Sequence, residues 1–341
     1  MSDTRALVEV DGVTKTYRTR RNGRWQLVRA VRGVSFRIPS QHIVALVGES
    51  GSGKSTMAKL VTAVERPDHG HIVFDGRPIE EWRRNLREYR RHVQMVFQDP
   101  YAALNPLNTV RYAISRPLVN YRRLSQGALE AEIRRILETV HLTPVDEFLE
   151  KLPFELSGGQ LQRVVTARAL ASQPRLIVAD EPVSMLDVSI RAEILRLLDE
   201  LRSREGVSIL YITHDLISAR MLADDIVVLY RGTVVEEGAA STVAKAPRHP
   251  YTQLLLRSIP NPWAPPEETA VDLSRIDRVS DEGGCVFRAR CPQAMERCAE
   301  AVPRLTAVGG QQRVACWLYD RAEAGENAPE GGQPSALRPG N

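Results

Sequence analysis

The stretch IVALVGESGSGKSTMAKLVTAV, residues 43–64, holds three signals in a fixed order. The apolar run Ile43–Val47 predicts a buried strand, and the turn after it matches the pattern G-x-x-x-x-G-K-S/T. Apolar residues then recur at the spacing of one helix face, at Met57, Leu60, Val61 and Val64. Strand, glycine-rich turn and helix together predict an α/β fold built around a phosphate-binding loop.

This loop has the residue types that a phosphate group requires. Its members are Gly48, Glu49, Ser50, Gly51, Ser52, Gly53, Lys54, Ser55 and Thr56. Glycines let backbone N–H groups curl around a phosphate, and the helix N-terminus adds positive potential. Lys54 is expected to reach the β and γ phosphates, and the Ser55 hydroxyl to bind Mg²⁺. A flexible surface turn is the alternative, but it does not account for the flanking strand and helix.

A second apolar strand ends in two carboxylates in the stretch RLIVADEP, residues 175–182. Adjacent like charges are unfavourable unless a cation holds them, so Asp180 is expected to bind Mg²⁺ through water. Glu181 is then placed to orient and deprotonate the water that attacks the γ-phosphate. A helix cap or solvated turn remains the alternative for Glu181.

The stretch LSGGQ, residues 156–160, forms a second small-residue turn that a helix follows at once. Free N–H groups at Ser157, Gly158 and Gly159 predict another anion site. One nucleotide does not need two such loops. The turn is therefore either an ordinary capped helix start or a surface that closes on a nucleotide held by another molecule.

LSGGQ, set between GESGSGKST and LIVADEP, resembles the signature of the ATP-binding cassette (ABC) ATPases, over about residues 7–240. The resemblance implies a P-loop nucleotide-binding domain with a RecA-like core, an antiparallel β subdomain and a helical subdomain. It also implies ATP hydrolysis in a head-to-tail dimer. Each ATP would lie between one subunit's phosphate loop and the turn Ser157 to Gln160 of the other subunit.

Four further positions match the family pattern one at a time. Tyr17 in VTKTYRT resembles the aromatic residue that stacks on adenine, although a tyrosine in a β-rich segment is often mere packing. Gln98 in MVFQDP resembles the Q-loop residue that contacts Mg²⁺ and the attacking water. Asp187 in SMLD resembles the aspartate at the dimer seam, and His214 in LYITHD resembles the switch histidine that touches the γ-phosphate.

The composition excludes several other classes. The formal net charge of the 341 residues is +4, and the basic cluster RRNLREYRRH is balanced by acidic residues spread through the chain. A solvated surface is therefore favoured over nucleic-acid binding. No apolar run approaches the roughly 18 residues of a membrane span, and MSDTRALVEV lacks the layout of a signal peptide. These features predict a cytoplasmic chain that can still dock on a membrane.

The C-terminal sequence APRHPYTQLLLRSIP, residues 246–260, resembles the extension of ATPases from dipeptide and oligopeptide importers. That group also includes importers of nickel and of some sugar oligomers. The resemblance implies a peripheral protein on the cytoplasmic face of the membrane. Its partners would be two transmembrane permease subunits, a second ABC ATPase and, indirectly, an extracytoplasmic solute-binding protein. A non-identical second ATPase is favoured, and pairing with another copy of this chain is the alternative. No nucleic-acid partner is expected.

All four cysteines lie in the C-terminal region, separated by five, six and seventeen residues, at Cys285, Cys291, Cys298 and Cys316. In a reducing compartment such a group favours metal over disulfides. The gaps are wider than those of zinc knuckles, and a proline follows Cys291. The importer resemblance implies a 4Fe-4S cluster, while zinc and unliganded thiols remain open.

The predicted organisation has four parts. Residues 1–98 and 166–245 form the ATP-binding core, and 99–165 the helical subdomain, with Leu129, Ile133, Ile136 and Val140 on one helix face. Residues 246–320 form the importer-type extension, and 321–341 a disordered tail. A soluble ABC ATPase of iron-sulfur assembly is the alternative that the cysteines raise, but such proteins lack the HPYTQLLL segment.

Overall fold

The structure is a computed structural model that describes residues 6–21, 23–122, 124–257 and 283–320. The strands are β1 Ala6–Arg21, β2 Arg24–Pro39, β3 Ile43–Val47, β4 His69–Phe74, β5 Arg77–Pro78, β6 Val93–Val96, β7 Leu176–Asp180, β8 Ser208–Thr213, β9 Asp225–Tyr230, β10 Thr233–Ala239, β11 Thr306–Gly309 and β12 Gln312–Val314. The helices are α1 Lys54–Val61, α2 Ile79–Trp82, α3 Leu86–His92, α4 Pro100–Ala103, α5 Val110–Arg122, α6 Gln126–Thr139, α7 Asp146–Leu149, α8 Gly158–Leu170, α9 Val188–Glu205, α10 Leu216–Leu222, α11 Ala240–Lys245, α12 Pro250–Arg257 and α13 Arg297–Glu300. The proposed disordered tail, residues 321–341, lies outside the described residues.

Two sheets organise the described residues. The larger has eight strands in the order β11-β12-β10-β9-β3-β8-β7-β6, and the smaller has four in the order β2-β1-β4-β5. Strands β9, β3, β8, β7 and β6 run parallel to one another, whereas β10, β11 and β12 add antiparallel pairs at one side. The smaller sheet is antiparallel throughout. The predicted α/β class with an antiparallel β part is confirmed.

Strand β3 is buried on both faces, which explains its unbroken apolar sequence. Its residues alternate between two hydrophobic layers. Ile43, Ala45 and Val47 face the layer that contains the longer helices, whereas Val44 and Leu46 face the layer that contains α1 and the smaller sheet. The strand that carries the phosphate loop is therefore fixed from both sides.

The helix after the glycine-rich loop is shorter than the sequence pattern predicts. Helix α1 ends at Val61, where Met57, Leu60 and Val61 are buried. Val64 lies beyond the helix and its side chain is 61% exposed, so its placement on the apolar helix face was wrong. The chain leaves the helix at Thr62 and Ala63. Ala63 has a φ of 56°, which lies outside the right-handed helical region, so the helix cannot continue through it.

The segment 99–165 contains α4 to α7 and the start of α8. Ile133 and Ile136 of α6 are fully buried, and Val140 is buried just beyond its end. Leu129 is half-buried against the same hydrophobic cluster. The predicted apolar face of this helix is confirmed.

A buried carboxylate ties the C-terminal region to the main sheet. Glu236 of β10 accepts hydrogen bonds from the backbone N–H groups of Arg248 (2.8 Å) and His249 (3.0 Å). Its side chain also accepts from Gln312 of β12, at 2.6 Å. A charged group that is fully buried needs such partners, and three donors from two segments supply them here.

Protonation of His249 is expected to destabilise the folded protein in acid. Burial lowers the pKa of its imidazole from 6.5 to about 4, and its Nδ1 accepts a hydrogen bond from the Tyr251 N–H (3.0 Å) that protonation would remove. Between pH 6.5 and about pH 4, the imidazole therefore binds a proton more readily in the unfolded chain than in the folded one. The free energy of unfolding is expected to fall as pH drops from 6.5 towards 4, by up to about 3 kcal/mol.

Urea unfolding across this pH window tests the expectation. Because buried Glu236 also has a shifted pKa, raised by burial, the comparison is with His249→Asn, which keeps an acceptor but does not titrate there. The difference in free energy between the two proteins should shrink or reverse as pH falls. A difference that is independent of pH would contradict the role of His249.

Within the described residues, none of the helices has the length and apolar character that crossing a membrane requires.

Candidate nucleotide site

The candidate site lies at the carboxyl ends of four neighbouring parallel strands. Gly48 follows β3, Asp180 ends β7, His214 follows β8 and Gln98 comes two residues after β6. These strands are adjacent in the order β3-β8-β7-β6. Ligands of open parallel sheets bind at this edge, since loops from neighbouring strands converge there. The sheet topology therefore brings together residues that are up to 166 positions apart by number, from 48 to 214.

Two glycines of the phosphate loop have no room for a side chain. A Cβ on Gly48 would lie 2.2 Å from the carbonyl oxygen of Leu229, and one on Gly53 would lie 2.3 Å from that of Ala30. Gly53 also has a φ of 106°, in the region that favours glycine. The loop is thus pressed against β9 and β2, which fixes the direction of its N–H groups.

The side chain of Lys54 lies inside the phosphate loop. Its Nζ donates to the carbonyl oxygens of Gly48 (2.7 Å) and Glu49 (2.9 Å), and the residue is 5% exposed. Burial lowers the pKa of the ammonium, while the charges of Glu181, Asp180 and Glu49 act in the opposite direction. Among the described residues, the buried Ser52 hydroxyl has no hydrogen-bond partner. A phosphate would supply acceptors for both groups.

Asp180 and Ser55 meet the requirements of a magnesium site. Burial raises the pKa of the Asp180 carboxyl, a hydrogen bond with Ser55 opposes this, and the neighbouring charge of Glu181 adds to the rise. A cation would relieve both the burial and the repulsion. Carboxylate and hydroxyl oxygens are the ligands that Mg²⁺ prefers, so the two residues fit this ion.

Glu181 is the centre of a polar group at the end of β7. One of its oxygens, Oε2, lies 3.2 Å from Nε2 of Gln98 and 3.2 Å from Nδ1 of His214. The Gln98 amide also lies 3.3 Å from the Ser184 hydroxyl, which donates to the Glu181 carbonyl (3.0 Å). The structure thus brings the three predicted catalytic residues together, and adds Ser184, which the sequence analysis missed.

The turn at Ser157 begins α8 with a capping box. Ser157 Oγ accepts from the Gln160 N–H (3.3 Å), and the Gln160 side chain accepts from the Ser157 N–H (3.0 Å). A Cβ on Gly159 would lie 2.6 Å from Cγ2 of Ile190, so α8 packs closely on α9. Asp187 caps α9 by accepting from the Ile190 N–H (3.0 Å). Ser157 and Asp187 therefore lie at the starts of two helices that pack on each other.

Tyr17 is held by a residue that the sequence did not single out. Its hydroxyl donates to the carboxylate of Glu65, and the ring is half-buried on β1. Burial raises the pKa of the phenol, and the Glu65 bond adds to this. Stacking of Tyr17 on adenine stays a prediction.

Two family models match the chain in separate places. Residues 31–184 match the model described as ABC transporter, and residues 235–298 match the model described as oligopeptide/dipeptide transporter, C-terminal region. A probable peptide ABC transporter ATP-binding protein of Sinorhizobium fredii is 37% identical over 100% of this chain and 98% of its own length. This chain belongs to the family of ABC transporter ATP-binding proteins.

Two other relatives of this ABC ATPase are of similar identity. A putative oligopeptide transport ATP-binding protein of Bacillus subtilis is 39% identical, over 89% of this chain and 94% of its own. A di/tripeptide transport ATP-binding protein of Pseudomonas aeruginosa is 38% identical, over 85% of this chain and 90% of its own length. The resemblance that the motifs indicated is confirmed.

Solved ABC cassettes have the same fold. The cbiO1 protein of Clostridium perfringens, part of the ABC transporter complex cbiONQ, gives a TM-score of 0.63 at 27% identity, over 71% of this chain and 91% of its own. A dimeric ATP-binding cassette in a post-hydrolysis state with ADP and phosphate gives a TM-score of 0.61 at 32% identity. The match covers 68% of this chain and 98% of the cassette. The P-loop ABC ATPase fold and ATP hydrolysis are confirmed. Family membership also implies partner permeases and the pairing of cassettes.

The four cysteines of this ABC ATPase are free thiols in one packed segment. Cys285 and Cys298 are buried and the other two half-buried. Burial raises the pKa of Cys285, of Cys291 and, to about 11, of Cys316, so these thiols are protonated at neutral pH. In the described part of the chain, no three or more His, Cys, Asp or Glu side chains are arranged to hold a metal. The structure does not support the predicted 4Fe-4S cluster.

Proposed function

We propose that this chain is the ATP-binding subunit of a membrane importer that takes up dipeptides or oligopeptides through partner permeases. The observation that carries the proposal is the match of residues 235–298 to the C-terminal region of oligopeptide/dipeptide transporters, in a chain that also holds the nucleotide site. Relatives similar over nearly the whole chain have peptide transport in their names. Nickel and oligosaccharide importers are the alternative, since the ATPase subunit does not touch the cargo.

The proposed roles follow from the geometry. Lys54 and the loop N–H groups bind the β and γ phosphates of ATP. Asp180, Ser55 and Gln98 would hold Mg²⁺, which would neutralise phosphate charge. Glu181 takes the proton of the attacking water, and its 3.2 Å contacts with Gln98 and His214 support this role.

His214 is 57% exposed, on the open side of Glu181, where it would meet the γ-phosphate. Tyr17 would stack on adenine. The turn from Ser157 to Gln160 and the neighbouring Asp187 would face the nucleotide of a second cassette. Met185 and Val188, next to Asp187, are 64% and 81% exposed, as residues at an unpaired seam are expected to be.

We further propose that the second cassette is a different chain, and that a solute-binding protein outside the membrane delivers the cargo. The cassette would lie on the cytoplasmic face, held by the permeases. A soluble iron-sulfur assembly ATPase is disfavoured by the match of residues 235–298. The boundaries 1–98, 99–165, 166–245 and 246–320 remain our proposed division of the chain.

A cluster on the four cysteines stays a prediction from the sequence. The pKa of Cys316 is raised mainly by burial and in part by the three other thiols, so the four cysteines lie in one region. Purification without oxygen, followed by iron analysis, tests it. Four iron atoms per chain and a brown protein would establish the cluster, and a colourless, iron-free protein would leave four structural thiols.

Reconstitution tests the transport function. The complex that copurifies with the tagged chain from detergent-solubilised native membranes would be placed in lipid vesicles, with its binding protein added. We expect ATP-dependent uptake of labelled dipeptides or oligopeptides, and none of nickel or oligosaccharides. Glu181→Gln in the same complex is the control, since it should stop uptake. Recovery of soluble partners alone would overturn the importer.

A further inference from the structure

The C-terminal segment reaches directly into the phosphate loop. The Arg290 guanidinium donates two parallel hydrogen bonds to the Glu49 carboxylate, from Nη1 to Oε2 at 2.7 Å and from Nη2 to Oε1 at 2.9 Å. Glu49 is the second residue of the loop. Such a fork fixes the direction of both partners as well as their distance. The Arg290 side chain is 14% exposed and the Glu49 side chain 39%, so the pair is shielded from water on the arginine side and screened on the glutamate side.

A second residue of the C-terminal region holds the backbone of the same loop residue. The hydroxyl of Tyr251, on α12, accepts a hydrogen bond from the Glu49 N–H at 2.8 Å. Tyr251 is fully buried, so the position of its hydroxyl is set by packing. The Glu49 amide is thus committed to Tyr251.

An aromatic cluster sets the positions of both partners. The rings of Tyr230 and Tyr251 have centroids 4.5 Å apart, and Phe287 lies 5.2 Å from Tyr230 and 5.5 Å from Tyr251. The Arg290 guanidinium lies 5.9 Å from the ring centroids of both Tyr230 and Phe287. Strand β9, helix α12 and the cysteine-containing segment therefore meet in one aromatic cluster.

The charge of Glu49 gives this contact a consequence for ATP. Its carbonyl accepts from Lys54 Nζ at 2.9 Å, so the residue adjoins the group that would bind the phosphates. A free carboxylate there would repel a polyphosphate, and the Arg290 guanidinium compensates its charge.

We propose that Arg290 and Tyr251 are positioning residues of the nucleotide site: together they hold Glu49 so that the phosphate loop binds ATP tightly. This inference rests on the proposed ATP site at Lys54. Arg290 and Tyr251 contact Glu49 and would act on the nucleotide through this residue.

Steady-state ATPase kinetics of the full-length protein test the proposal. Arg290→Ala is expected to raise the KM for ATP about tenfold with kcat within about twofold, since a hydrogen-bonded charge is lost but the catalytic group stays. Arg290→Lys keeps the charge but cannot make the two parallel hydrogen bonds. Its KM for ATP should therefore lie between that of the unaltered protein and that of Arg290→Ala. Adding Glu49→Gln to Arg290→Ala removes the repelling carboxylate and should recover most of the lost affinity.

Arg297→Ala is the matched control. Arg297 lies in the same segment, 4.0 Å from the Trp317 ring centroid and 3.2 Å from the Asp320 carboxylate. Its loss should lower the melting temperature of the segment without changing the KM for ATP. Tyr251→Phe, which removes one hydroxyl and keeps the ring, should raise the KM by itself, and it carries the test if Arg290→Ala does not fold.

Several results would overturn the inference. These are an unchanged KM in Arg290→Ala or in Tyr251→Phe, an equal rise in Arg290→Ala and Arg297→Ala, or a double variant with Glu49→Gln that is no better than Arg290→Ala. Failure of the ATP site itself would look different. In that case Lys54→Ala would hydrolyse ATP as the unaltered chain does, which would overturn both proposals.

Discussion

Glu181→Gln is expected to abolish ATP turnover while leaving ATP binding intact. The amide has the shape of the carboxylate and can keep polar contacts with Gln98 and His214, but it cannot take a proton from water. Removal of a general base typically costs a factor of about 10² to 10⁴ in kcat. Glu181 has a φ of 47°, and glutamine leaves this unusual backbone conformation no more strained than glutamate does.

The measurements are phosphate release, binding of a fluorescent ATP analogue and size-exclusion chromatography with ATP. In the variant, bound ATP is no longer consumed, so the closed dimer with the second cassette should accumulate when the copurified complex is analysed. Glu81→Gln, at a surface position where the side chain is 56% exposed, serves as the control and should behave as the unaltered protein. Normal turnover in Glu181→Gln would remove Glu181 from the role of base.

Gly48→Ala is expected to destroy the nucleotide site and to destabilise the protein. The added Cβ would lie 2.2 Å from the backbone oxygen of Leu229, which cannot move without displacing β9. Overpacking of this kind costs about 1–3 kcal/mol of unfolding free energy. The loop has to shift to relieve the contact, and since Lys54 bonds the Gly48 carbonyl, the shift moves the phosphate-binding ammonium as well.

Melting temperature and ATPase activity would both be measured for this variant. Gly127→Ala is the matched control, because Gly127 lies in α6 and a Cβ there meets nothing within 4 Å. That substitution should raise stability by about 0.5–1 kcal/mol and leave hydrolysis unchanged. Full activity in Gly48→Ala would mean that the loop adapts to the extra atom.

The sequence predicted those parts of the site that local patterns encode. The loop from Gly48 to Thr56 and the strand that ends at Asp180 each combine a periodic apolar run with a fixed set of polar residues. Their meeting at one sheet edge follows from the rule for parallel strands. Strand β3 was predicted to its terminal residues, since it is buried on both faces and bounded by polar residues and glycine.

Other features depend on contacts that no local pattern contains. Val64 has the spacing of the helix face, but the chain leaves the helix at Thr62, so periodicity alone placed it wrongly. The bond from Tyr17 to Glu65 and that from Gln98 to Ser184 join segments that only the folded sheets bring together. Arg290 looks like one more surface arginine in the sequence, because its partner lies 241 residues away.

That separation also affects the order in which the molecule becomes active during its synthesis. Ribosomes add about 5–20 residues per second, so roughly 12–50 s pass between the emergence of Glu49 and that of Arg290. During that interval the nascent chain contains the residues of the phosphate loop but not Arg290, which compensates the charge of Glu49. The proposed role of Arg290 implies that the cassette reaches its full affinity for ATP only after the C-terminal residues have emerged.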